Sequence, residues 1–185
     1  MKNKKYMVGI LSCAIISGAF LGYNNSKVSG DEITPEVKQL AEAGSKPEVA
    51  LKAIPDKVEK EFKLPEKLPF NEKQSESAAI AKEFGDDTYY YEQYWEKDGK
   101  YFFFNVINET PEIDNEFKED PNFTYETVKI YNGIYATYLK GPTSEKLYWN
   151  DNGFQYMIGS NSPDGSTDFY GPEKLEETAN SLKVN

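Results

Sequence analysis

Four dipeptides constrain this chain more than any other feature: Asp98-Gly99, Asn132-Gly133, Asn152-Gly153 and Asp164-Gly165. Such pairs supply the positive φ angles of tight hairpin turns, because glycine lacks a Cβ and Asn and Asp tolerate the left-handed region. The first three each sit between two runs of strand chemistry: 88–96 and 100–108, 125–131 and 134–140, 145–150 and 154–159. Tyr, Phe, Trp and Thr are frequent in these runs, as expected of side chains that fit a pleated, half-buried surface. Three consecutive hairpins between about Ser77 and Gly159 predict an antiparallel meander.

Helical signals flank the strands. Thr34-Pro35-Glu36 places an N-cap before a proline at the first helical position, and Val37, Leu40 and Ala41 follow at helical spacing. Ser45-Lys46-Pro47-Glu48 has capping-box form and precedes Val49, Ala50 and Ala53. Pro55 then ends or kinks that helix. The proline-rich run Leu64-Pro65-Glu66-Lys67-Leu68-Pro69-Phe70 cannot continue it and marks a new region. At the far end, Gly171 and Pro172 start a closing helix over 172–183, with Leu175, Ala179 and Leu182 as its apolar stripe. The predicted class is α+β: a curved, half-barrel-like antiparallel β-meander with helices packed on one face. Three divisions follow: a leader over 1–30, a helical segment over 31–63 and a sheet domain over 64–185.

The leader has the layout of an export signal. Lys2, Lys4 and Lys5 precede an uncharged, mostly apolar run from Tyr6 to Tyr23, and Asn24-Asn25-Ser26 turns polar. Left uncleaved, the run is long enough to anchor the chain in a membrane. Lysines at its start hold that end inside, so the rest is expected to be extracytoplasmic, secreted or surface-anchored. Val28-Ser29-Gly30 suits cleavage before Asp31. Cys13, in Ile10-Leu11-Ser12-Cys13, partly resembles a lipid-attachment cysteine. Its place inside the apolar run favours a small signal-helix residue instead.

Beyond the leader the chain contains no Cys, His or Arg, and all 21 of its basic residues are lysine. That removes the usual general base, the thiolate nucleophile, the commonest metal ligands and the bidentate phosphate clamp. A net charge of −10, more negative once the basic leader is set aside, opposes nucleic-acid backbones and anionic surfaces. Without disulfides, stability must come from packing. No cofactor is implied, and no phosphate loop, metal pattern or nucleophile elbow is present. The acidic stretch 109–120 lacks calcium-loop spacing and reads as a solvated loop. Paired carboxylates of a glycosidase remain conceivable, but among 31 acids some pair always looks suitable.

The 14 Tyr, 11 Phe and 2 Trp gather in the strands. Tyr101-Phe102-Phe103-Phe104-Asn105-Val106 is apolar on both alternating faces, which predicts a central strand. Two readings of this content stand side by side. It is an ordinary core with hydroxyls at its wet margins, or it lines a groove between sheet and helices, with Tyr101, Phe103, Tyr138, Trp149 and Tyr156 as candidate ligand contacts.

Leu147-Tyr148-Trp149, then Gly153-Phe154-Gln155-Tyr156-Met157-Ile158, then a closing helix with Leu175 and Ala179-Asn180-Ser181-Leu182 form a familiar set. Over about residues 64–183 it resembles an uncharacterised extracytoplasmic domain of Gram-positive bacteria. That domain occurs in exported lipoproteins and behind the membrane span of anti-sigma factors. The Leu64 to Phe70 segment and the Asn132-Gly133 hairpin also fit its pattern. The resemblance implies a half-barrel similar to lipoprotein carriers and envelope sensors, and a role in binding or sensing without catalysis. The chain departs from the family in lacking a cytoplasmic anti-sigma module and a well-placed lipobox. The expected function is therefore an exported, non-enzymatic binding, sensing or accessory protein of the envelope. Its partner would be a lipid, a peptide or an envelope protein. The alternatives are a carboxylate-based hydrolase of cell-wall carbohydrate and a purely structural surface protein.

Overall fold

A computed structural model describes residues 42–85, 87–97, 99–110, 120–162 and 168–184. The leader, Cys13, the Thr34 helix, most of the acidic stretch and the Asp164-Gly165 turn lie outside the described residues. Among the described residues the protein is mainly β: a seven-stranded antiparallel sheet with short helices. The strands are β2 (Glu76–Glu83), β3 (Tyr89–Lys97), β4 (Lys100–Ile107), β5 (Thr124–Lys129), β6 (Tyr135–Lys140), β7 (Ser144–Asp151) and β8 (Phe154–Asn161). A two-stranded ribbon pairs β1 (Lys63–Pro65) with β9 (Leu182–Val184). The helices are α1 (Pro47–Leu51), α2 (Asp56–Glu59) and α3 (Pro172–Ala179).

All three hairpins form where the turn chemistry places them: β3–β4, β5–β6 and β7–β8. Asn152 and Gly153 adopt φ 50° and 85°, and Asn132 and Gly133 adopt φ 52° and 77°. Strand order departs from a simple run of neighbours. The sheet reads β2-β3-β4-β8-β7-β6-β5, so two meanders meet at a β4–β8 seam and β5 lies on the far edge. The side chains explain this. β4 is interior because both its faces are apolar, whereas Thr124, Glu126 and Lys129 of β5 are exposed, as suits an edge.

The sheet is neither closed nor strongly curled, which corrects the half-barrel expectation. β2 and β5 occupy opposite edges and do not pair with each other. Alternation along the strands assigns the two faces. Phe102, Phe104 and Val106 of β4 share the inner face with Tyr91, Trp95, Leu147, Trp149, Tyr156 and Ile158. Ala50, Ala53, Ile54, Val58, Phe62, Leu175 and Ala179 from the helices and their flanks close over them in one core cluster.

Two local expectations change. Ser45 does not cap α1, whose N-cap is Lys46. Ser45 instead exchanges backbone hydrogen bonds with Ala79 on the edge of β2, at 2.8 and 2.7 Å. The closing helix stops at Ala179, and Leu182 belongs to β9 opposite Pro65. Leu182 is partly buried, whereas Leu175 is fully buried. Leu175→Ala is therefore expected to cost about 2–5 kcal/mol and Leu182→Ala distinctly less. Urea unfolding of both variants checks this, and the reverse order would contradict the docking of α3.

Candidate functional site

The five residues picked out for a ligand groove divide between the two faces. Tyr138, Trp149 and Tyr156 lie on the inner face, 2%, 0% and 1% exposed, and belong to the core. Trp149 stacks on Tyr156 with ring centroids 5.5 Å apart, and its Nε1–H donates to Tyr131 Oη at 3.1 Å. Tyr131 donates in turn to Asp151 Oδ2 at 2.8 Å, and Lys63 Nζ closes an ion pair on the same oxygen while lying 4.8 Å from the Tyr131 ring centroid. Burial pushes the Tyr156 phenol up to about 12, with Asp151 and Glu61 adding to the rise and a backbone hydrogen bond from Lys63 opposing it. Burial is also the main cause raising the phenols of Tyr131 and Tyr138. These groups remain neutral donors at physiological pH. The space between sheet and helices is filled at these positions, which corrects the groove placed there.

The same face holds a residue that the sequence did not single out. Glu145, on β7, is 0% exposed. Its carboxylate accepts from Tyr138 Oη at 3.0 Å, Ser160 Oγ at 2.8 Å, Tyr170 N–H at 2.8 Å and Gly171 N–H at 3.0 Å. Tyr170 and Gly171 lead into α3, where the helix dipole favours a negative charge. Gly171 has φ 82°, a conformation that glycine adopts without a Cβ penalty. Four donors replace the water that this carboxylate loses. Glu145 ties β6, β7 and β8 to the start of α3.

Tyr101 and Phe103 lie on the opposite, outer face and are partly exposed. Strand register lines up a row across this face: Ala78, Tyr94, Phe103, Gly159, Lys146, Leu139 and Tyr125. Phe103 leans over Gly159, where an added Cβ would come within 2.6 Å of the ring and 2.3 Å of the Glu145 backbone oxygen. The neighbouring row carries Ile80, Glu92, Asn105, Met157, Tyr148 and Thr137. Tyr94, Met157 and Tyr148 were missed by sequence reasoning. Alternation would have grouped each with its own strand's outer positions, but only cross-strand register puts them in adjoining rows. Lys146 lies 5.6 Å from the Tyr148 ring centroid, and burial lowers its amine below the usual lysine range.

A shallow cleft of about 260 Å³ opens elsewhere, lined by Pro69, Phe70, Lys97, Lys100 and Tyr170. Lys100 pairs with Asp168 at 2.5 Å, and Lys97 lies 5.8 Å from the Phe70 ring centroid. Among the described residues no three acids converge as metal ligands, and no helix is long and apolar enough to cross a membrane. Comparison with known proteins finds no matching family model, curated protein or solved structure.

Proposed function

We propose that this is an exported, non-enzymatic binding or accessory protein of a Gram-positive cell envelope, and that the outer face of the sheet is its binding surface. One observation carries the reading. Tyr94 and Phe103 face each other across β3 and β4 and are both partly exposed, whereas Leu139 and Tyr148, farther along the same face, are buried. Paired aromatic rings offer large apolar area with little rotamer entropy to lose, which suits an extended apolar ligand. The leader and the resemblance of the C-terminal hairpin and helix to an extracytoplasmic domain support the location. The acceptable ligands are a lipid, a peptide or a segment of an envelope protein.

The hydrolase reading gains no support from the buried acids. Glu145 and Asp151 point to the same face of β7 but lie six residues apart, roughly 20 Å along a strand. A glycosidase pair needs a separation of about 5–10 Å. Both acids are also committed to internal partners. The test is calorimetric titration of the purified protein with zwitterionic phospholipid vesicles, cell-wall stem peptides and apolar decapeptides. One class is expected to bind, and Phe103→Ser is expected to weaken it at least tenfold with little change in the urea midpoint. Binding that ignores Phe103→Ser, or no binding in any class, would sink the assignment.

A further inference from the structure

The inner face ends in positive charge at one corner of the sheet. Lys97 and Lys100 are direct partners in the last pair of the β3–β4 hairpin, with the same side-chain parity as Trp95 and Phe102. Like charges placed opposite each other on neighbouring strands repel, because their Cβ atoms stand only about 5 Å apart. Both lysines are partly buried. In a chain of net charge −10, two facing cations at the margin of the core reverse the prevailing field.

The cleft of about 260 Å³ opens between these lysines and an aromatic wall. Phe70 and Tyr170 stand 5.9 Å apart, tilted by 35°, and each meets Phe102 in a T-shaped contact, at 5.7 and 5.9 Å. Phe102 is 1% exposed and also packs on Trp95, so the core holds the wall in place. Lys97 Nζ lies 5.8 Å from the Phe70 ring centroid, within cation–π range.

Lys100 shows which group such a cation takes. Its Nζ pairs with the Asp168 carboxylate at 2.5 Å, and the Asp168 side chain is 83% exposed. A carboxylate so open to water holds its partner weakly and is readily exchanged for another. Glu72, two residues after Phe70, faces Trp95 instead and accepts from its indole N–H at 3.5 Å.

We propose that this cleft binds the C-terminal residue of a peptide that ends in an aromatic side chain. The terminal carboxylate lies between Lys97 and Lys100 and takes the place of Asp168, while the ring packs against Phe70 and Tyr170. A bare anion would leave the aromatic wall unused, and an uncharged ring would leave the facing lysines uncompensated. The volume falls below the roughly 300–1,000 Å³ of pockets that enclose a drug-sized ligand, so the cleft takes one residue and leaves the rest of the peptide in solvent. The site lies on the opposite side of the sheet from Phe103 and stands without the outer-face reading.

The test is NMR titration of the purified protein with N-acetyl-alanyl-phenylalanine, its C-terminal amide and phenyl phosphate. The free acid is expected to shift the resonances of Lys97, Lys100 and Tyr170 and to bind at least tenfold more tightly than the amide. Lys97→Met is expected to weaken the acid at least tenfold. Asp168→Asn, which removes the resident competitor, is expected to tighten it at least threefold, an effect opposite in sign. Phe103→Ser is expected to leave it unchanged. Equal binding of acid and amide, tighter binding of phenyl phosphate than of the acid, or no binding at millimolar peptide would each overturn the proposal. So would indifference to Lys97→Met, weakening by Asp168→Asn, or loss of binding in Phe103→Ser.

Discussion

Glu145→Ala is expected to destabilise the protein by about 3–5 kcal/mol, since the side chain is fully buried and holds four hydrogen bonds. The substitution leaves four donors without an acceptor: two hydroxyls, from Tyr138 and Ser160, and two backbone N–H groups, from Tyr170 and Gly171. An orphaned buried donor costs about 1–3 kcal/mol. Relief from burying the carboxylate offsets only part of the sum. Glu145→Gln is the informative companion. It keeps the volume and one acceptor oxygen but turns an NH₂ group toward donors, so its cost should be intermediate, at about 2 kcal/mol. Urea unfolding at neutral pH reads both. A Glu145→Ala variant within about 1 kcal/mol of the parent would mean that the donors find other acceptors.

Trp149→Ala is expected to reach the upper end of the range for aromatic truncation, about 3–5 kcal/mol. The indole is fully buried, stacks on Tyr156 at an interplanar angle of 15°, and meets the edge of Tyr131. Its loss opens a large cavity and also removes the donor that orients Tyr131 toward Asp151 and Lys63. Trp149→Phe separates the two effects, since it refills most of the volume and removes only the N–H. Near-ultraviolet circular dichroism and urea midpoints measure the outcome. Equal losses for Ala and Phe would place the energy in the hydrogen-bonded chain and not in packing.

The hairpins were legible because turn chemistry is local. Asn132-Gly133 and Asn152-Gly153 specify their own backbone, and the partner strands follow from the loop length. The interior place of β4 was legible too, since Phe102 and Phe103 make both its faces apolar. Strand order was not, because no local signal decides whether β4 pairs with β5 or with β8. Leu182 fits helical spacing after Leu175 and Ala179, yet the chain leaves the helix to pair with Pro65, a long-range choice. The candidate groove failed for a related reason. Alternation sorts side chains within a strand, but only register shows that Phe103 and Trp149 face opposite ways. Glu145 could have been found. It shares parity with Leu147 and Trp149 on β7, which places a carboxylate on the core face of a strand.

The seam between the two meanders has a consequence for how the chain is made. Each meander assembles from neighbouring residues, but β4 gains its second partner only when Phe104 meets Ile158. Until then the most apolar strand of the molecule is a bare edge, a template for pairing with any extended chain nearby. A half-synthesised copy is thus more prone to aggregate than a finished one, and the hazard ends when β8 is in place. Substitutions that slow the arrival of β8 should therefore lower the yield of soluble protein, and a bulky residue at Gly159 should do so while also destabilising the folded sheet, since its Cβ would lie 2.3 Å from the Glu145 backbone oxygen.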